Sequence, residues 1–148
     1  IKGESTAAYY WNKPEKTAKA MRDGWFYTGD TCYRDEDGCY VFCGRDSDML
    51  KVGGIWVSPV EIESALTEHS AVLEAAVTGA PDDEQLIKPK AFVVLKQADN
   101  AGPELEHELR EFIRNRLAPF KYPRWIEFLD ELPKTSSGKI QRFRLRSL

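Results

Sequence analysis

The stretch from Lys134 to Leu148 holds five basic side chains, Lys134, Lys139, Arg142, Arg144 and Arg146, and no acid. On charge alone it reads as a solvated, frayed terminus. A nucleic-acid tail is the functional alternative, but it would need exposed aromatics among the cations, and only Phe143 qualifies. Within the stretch, Thr135-Ser136-Ser137-Gly138-Lys139 ends like a phosphate-binding P-loop. That motif needs Gly five residues before its second Gly, where Pro133 stands, and Ser or Thr after the Lys, where Ile140 stands. What is left is one lysine on a flexible Ser/Gly loop, which lets a long cationic side chain swing into a partner's site.

Two further groups are chemically suggestive. Tyr27-Thr28-Gly29-Asp30 places an acid directly after a Gly at a strand end, and Gly44-Arg45 does the same with a guanidinium. A carboxylate accepts hydrogen bonds from two vicinal hydroxyls, as on a ribose; an Asp30–Arg45 ion pair or a turn-capping Asp explains the residues equally well. Lys51-Val52-Gly53-Gly54 interrupts a hairpin. Either the glycines supply φ > 0 for a turn or bulge, or they offer a backbone without Cβ along which a thin ligand slides. The three cysteines are less suggestive. Cys39 and Cys43, if on one strand, lie about 13 Å apart, too far for a disulfide. With Cys32, and with His69 and His107 remote in sequence, they make no zinc site. Reduced cysteines in a cytoplasmic protein are the simpler reading.

The elements that must hold these residues can be read from pattern. Asn12-Lys13-Pro14 opens a helix through Met21, ended by Gly24. Trp25–Thr28 is a strand, and Thr31–Tyr33 and Cys39–Phe42 flank a four-residue hairpin loop, Asp35–Gly38. Met49–Val52 and Ile55–Val57 are strands on either side of Gly53-Gly54. Ser58-Pro59-Val60-Glu61 is a capping box with Pro in the first turn, and Ile62, Ala65, Leu66 and His69 continue at helical spacing. Val72–Val77 and Pro89–Leu95 are strands separated by a polar loop from Gly79 to Lys88. Glu104–Leu117 is an amphipathic helix, and Trp125–Leu129 a last strand. The order β-α-β-β-α-β predicts an α+β domain with helices packed on a small sheet.

At 148 residues, 42% hydrophobic and 30% charged, the chain has an ordinary globular composition. No apolar run approaches the ~18 residues of a membrane span. A net charge of −3 does not mark a dedicated nucleic-acid binder. The chain opens on Ile1-Lys2-Gly3-Glu4, without Met or a signal-peptide pattern, and reads as a piece of something longer.

Taken in order, the motifs resemble one family. Gly24–Asp30, Gly44-Arg45-Asp46-Ser47-Asp48-Met49-Leu50-Lys51-Val52-Gly53-Gly54, Ser58–Glu63 and Leu132-Pro133-Lys134-Thr135-Ser136-Ser137-Gly138-Lys139-Ile140 look like the carboxy-terminal third of the adenylate-forming enzymes. These are the acyl- and aryl-CoA synthetases, the adenylation domains of peptide synthetases and the firefly-type luciferases. The run Met49–Pro59 is most similar to benzoate- and hydroxybenzoate-CoA ligases.

The resemblance implies a remnant of a larger N-terminal domain over 1–44, a hinge at 45–48 and a mobile C-terminal domain over 49–148. It implies an acid–thiol ligase, AMP-forming, that makes an acyl-adenylate and then a CoA thioester, with the C-terminal domain turning a different face inward for each step. ATP and CoA are then substrates, an aromatic carboxylic acid the third, and Mg2+ accompanies ATP with ligands outside these residues. By the same resemblance Asp30 and Arg45 hold the ATP ribose, Lys139 and Lys51 are the catalytic lysines, and Gly53, Gly54 and Ile55 line the pantetheine path. Phe120, Lys121 and Tyr122 take the nucleotide end of CoA. The family's hinge usually reads Gly-Arg-x-Asp-Asp; here Ser47 stands at the pivot, followed by Asp48. The family's phosphate loop and acyl pocket are not among these residues, so the fragment alone is expected to be inactive. The rival readings are an adenylation domain that loads a carrier protein, and a non-catalytic module with a basic tail for nucleic acid. Unpaired strand edges in 1–44 would leave contact with another copy as a further expectation.

Overall fold

The computed structural model describes residues 1–148, which divide into two compact units, Ile1–Ser47 and Asp48–Leu148.

In the first unit, α1 (Pro14–Ala20) opens with Pro at its first position. It stops short of the expected Met21, because Met21–Arg22 (β1) folds back on Trp25–Phe26 (β2). The turn between them is Asp23-Gly24, with φ of 52° and 75°. Two successive positive φ values are what a two-residue hairpin of right-handed twist requires, and Asp-Gly is its usual sequence. Gly24 therefore turns a hairpin instead of ending a helix. The next hairpin is as expected: β3 (Asp30–Arg34) pairs antiparallel with β4 (Tyr40–Arg45). Its loop is closed by Asp35, whose Oδ1 accepts the Cys39 amide at 2.7 Å. All three cysteines are free thiols.

The second unit starts with the antiparallel hairpin β5 (Leu50–Val52) and β6 (Ile55–Val57). Then comes α2 (Pro59–Thr67), capped by Ser58 Oγ accepting the Glu61 amide at 3.2 Å. Strands β7 (Val72–Pro81) and β8 (Ile87–Leu95) form a long antiparallel ribbon, and β9 (Trp125–Phe128) adds parallel to β8. The β8-to-β9 crossover carries α3 (Pro103–Arg114), as a parallel connection must. Helices and strands thus follow the predicted order in an α+β unit.

Beyond shifts of a few residues at element ends, two features of this unit differ from expectation. Half of the polar segment 79–88 is strand: pairing continues to Pro81↔Ile87. Asp82 makes this possible by turning the chain within a few residues. Its carboxylate accepts the amides of Leu86 at 2.9 Å and Glu84 at 3.0 Å, with Gln85 at φ 60°. The Leu86 amide is the chief reason the Asp82 carboxyl sits below its ordinary pKa. The other difference is the tail. It is docked, not frayed, because the sheet has two faces to cover.

On one face Val77, Ala91 and Val93 pack with Ile62 and Leu66 of α2, Leu109 and Ile113 of α3, and Leu50, Val52 and Val57 of the first hairpin. On the other, Ala76, Phe92 and Val94 pack with Leu132, Leu145 and Ile140. The cover on this second face is the tail itself, ending in the single turn α4 (Arg142–Leu145). Leu145 is only 1% exposed. Leu145→Ala is expected to destabilise the unit by about 2–5 kcal/mol, the usual range for a buried Leu. Chemical denaturation measures it; an unchanged midpoint would mean that the tail is not part of the core.

Candidate functional site

The predicted residues fall into three groups, each within one unit. In the first unit Asp30 opens β3 directly opposite Arg45, which ends β4. The Arg45 guanidinium lies 3.1 Å from Asp30 Oδ1 and also donates to the Thr28 carbonyl. Gly29, at φ 75°, makes the bend that brings Thr28 and Asp30 round Arg45, and the Asp30 amide donates to Thr28 Oγ1 at 3.1 Å. The ion pair foreseen as an alternative therefore exists. It orients the carboxylate and leaves Oδ2 to accept from a ligand. Both residues line a cavity of about 550 Å³ together with Tyr10, Lys16, Lys19 and Tyr27.

The second group surrounds a cavity of about 430 Å³ in the second unit. Gly53 and Ile55, from the β5–β6 turn, meet Phe120 and Tyr122, from the Pro119–Pro123 segment. Residues 67 apart in sequence, all assigned to one ligand, thus share one hollow. The walls add four cations that the sequence reading did not single out: Lys88, Arg110, Arg114 and Arg124. Arg110 donates to the Arg124 carbonyl at 2.7 Å and pairs with Glu106 one helical turn back. The Arg114 carbonyl accepts the Tyr122 hydroxyl at 3.3 Å. Arg124 makes no close salt bridge but stands near enough to Asp82 to help hold that carboxyl below its ordinary pKa. One signal was available. Arg110 and Arg114 are four apart on α3 and so project from one face. Arg124 could not be added to them without knowing that β9 runs beside β8. Two of the expected residues lie outside this lining. Lys121 is paired with Glu61 of α2, and Gly54 stands at the turn's outer corner with open space around it. Lys51 lies on the exposed side of β5, its ammonium 5.7 Å from the Trp56 ring.

The third group is the tail loop. Thr135–Lys139 is a closed turn: the Thr135 amide donates to the Lys139 carbonyl at 2.8 Å, and Thr135 Oγ1 accepts the Lys139 amide at 3.1 Å. Outside it, Lys134 and Ile140 bridge antiparallel. The expected flexible Ser/Gly loop is in fact a short, hydrogen-bonded hairpin. Gly138, at φ 81°, allows the reversal. Lys139 is exposed at its stem and its ammonium has no partner in the chain. Ser47, the last residue of the first unit, and Asp48, the first of the second, lie in a 3-10 turn, Asp46–Asp48, and Asp48 is gripped by Arg142 and Arg146.

The description "AMP-binding enzyme C-terminal domain" matches residues 61–139. The chain belongs to that family. Over 99% of its length it is 58% identical to a benzoate–CoA ligase of Thauera aromatica. It is 52% identical over its full length to a 4-hydroxybenzoate–CoA/benzoate–CoA ligase of Rhodopseudomonas palustris. The crystal structure of the anthranilate CoA ligase AuaEII in complex with anthranoyl-AMP superimposes with a TM-score of 0.95 and 51% identity, over 99% of this chain and 28% of that one. The chain likewise spans 28% of the length of the two curated relatives.

Proposed function

We propose that this chain is the C-terminal part of an ATP-dependent aryl-CoA ligase. In the first half-reaction a carboxylate oxygen attacks the α-phosphate of ATP and pyrophosphate leaves. In the second the CoA thiol, losing its proton, attacks the acyl carbonyl and AMP leaves. The 28% coverage of the relatives fits a division in which the acyl pocket, the phosphate loop and the Mg2+ ligands lie in the rest of the enzyme. Residues 1–44 then belong to the larger adenylating domain, 45–48 act as hinge, and 49–148 move. Ser47 is our pivot.

Asp30, oriented by Arg45, accepts the ribose hydroxyls of ATP. Lys139 bridges the attacking carboxylate and the α-phosphate in adenylation. The Lys51–Gly54 turn faces the site in the thioester step. The aromatic acid is proposed from the benzoate ligases alone. A reducing, cytoplasmic location fits the exposed thiols of Cys32 and Cys39.

The observation that carries this reading is the cationic, aromatic-walled cavity beside the glycine turn. Free CoA ends in a 3′-phosphorylated ADP, a compact polyanion with a flat base. Lys88, Arg114 and Arg124 suit the phosphates, and Phe120 the adenine. A carrier protein presents phosphopantetheine without that nucleotide and would have no use for the hollow. Base–aromatic stacking is worth about 1–3 kcal/mol per base on alanine substitution. Phe120→Ala in the full-length enzyme should therefore raise the CoA KM by roughly 5- to 150-fold. Pyrophosphate exchange, which needs no CoA, should be unchanged. An unaltered CoA KM would remove the basis for preferring CoA over a carrier protein.

A further inference from the structure

Four charged side chains outside the proposed ligand sites form one connected group. At its centre is Glu63, on α2 and 9% exposed. Its Oε1 accepts the Val77 amide at 2.7 Å, on the edge of β7 that faces away from β8. The same carboxylate receives Arg142 through two short contacts, 2.8 Å to Oε1 and 2.7 Å to Oε2. Arg142 also reaches Asp48 at 3.8 Å, and Arg146 reaches Asp48 at 2.6 Å. The α2 helix, the sheet edge, the tail and the first residue of the second unit thus meet in one ion-pair network.

The position of Arg142 gives the network its meaning. It lies three residues after Lys139, at the exit of the tail hairpin. The entry of that hairpin is anchored separately, by Lys134 on Glu74 of β7. The backbone closes the frame, with the Gln141 amide on the Pro133 carbonyl at 2.8 Å. Lys139 has no partner of its own, so where its ammonium stands depends on how these two stems are held. A planar guanidinium bound by both carboxylate oxygens fixes direction as well as distance.

We propose that Arg142, held by Glu63 and shared with Asp48, is a positioning residue for adenylation: it sets the Lys139 hairpin against the body of the unit. This rests on the role proposed above for Lys139. A misplacement of about 1 Å in a reacting group can lower a rate by as much as 10²-fold. Arg142→Gln in the full-length enzyme is expected to lower kcat for pyrophosphate exchange by about 10- to 10²-fold, with the KM for ATP nearly unchanged. Thioester formation from supplied acyl-adenylate should keep its rate within about threefold, since Lys139 is not used there.

The deciding measurement is a double-mutant cycle. If Arg142 acts through Lys139, Arg142→Gln adds almost nothing once Lys139 is alanine. A merely structural ion pair gives the opposite result, with the two losses multiplying and both half-reactions falling together; that would overturn the proposal. Glu63→Gln is the second variant, used alone if Arg142→Gln fails to fold. Its amide oxygen still accepts the Val77 amide while the charge that holds Arg142 is gone, and the same pattern of losses is expected. Failure of the Lys139 reading is separately visible, because Lys139→Ala would then leave exchange intact.

Discussion

Lys139→Ala in the full-length enzyme is expected to lower pyrophosphate exchange by ~10²- to 10³-fold. One preorganised donor aimed at developing negative charge is typically worth ~3 kcal/mol, and a full cation at least as much. Thioester formation from supplied acyl-adenylate should be nearly untouched. The structure gives this a specific ground. Of the tail cations, Lys134 is held by Glu74, Arg142 by Glu63 and Arg146 by Asp48. Arg144 donates to Gln141. The Lys139 ammonium alone is left for something outside the chain. Equal loss in the two assays would refute the idea that the C-terminal unit shows a different face to each step.

Gly54→Leu is expected to act on the other half-reaction. Gly54 has φ +86°, and a Cβ built there meets nothing within 4 Å. The two facts pull apart the two explanations offered for this glycine. Positive φ means that leucine strains the turn, by roughly 1–2 kcal/mol. Open space means that leucine clashes with no part of the chain itself, only with something that passes by. CoA-dependent thioester formation should fall by ~10²-fold or more if the pantetheine arm passes there, because the route is blocked. Pyrophosphate exchange should stay near normal despite a modest drop in Tm. Gly54→Asn is the control, since asparagine tolerates the left-handed region. Parallel loss of both activities, tracking Tm, would leave backbone geometry as the whole role of Gly54.

The features legible in the sequence are those fixed by near neighbours. The Gly53-Gly54 hairpin, the Ser58-Pro59 start of α2 and the apolar stripe of α3 each depend on residues within about a turn or two. The Asp30–Arg45 pair was open to expectation because one hairpin joins them. The docked tail was not legible. Leu132, Ile140 and Leu145 follow neither a helical nor a strand period, and their partners, Ala76, Phe92 and Val94, lie far back in the chain. The unbroken run Ala91-Phe92-Val93-Val94-Leu95 was the available clue. A strand apolar on both sides needs two covers, and α2 and α3 supply only one. Strand length failed for a similar reason: Gly79–Lys88 looks polar, yet pairing across the ribbon sustains strand where side chains alone would not. The cavity cations were missed because α3 and the Pro119–Arg124 segment become neighbours only through the parallel crossover.

The hydrogen bond from Val77 to Glu63 has a consequence for the molecule in a crowded solution. β7 is a sheet border, and a border's idle amides are templates on which a strand from another molecule can grow. Placing a carboxylate on one of those amides, and an arginine on the carboxylate, withdraws that amide and puts charge where an intruding strand would have to lie. The carboxylate that holds the tail thereby also occupies a pairing site on the border. Tail and border are tied by one carboxylate, so Glu63→Gln is expected to raise light scattering by the protein at high concentration, and unchanged scattering would leave the border without this guard.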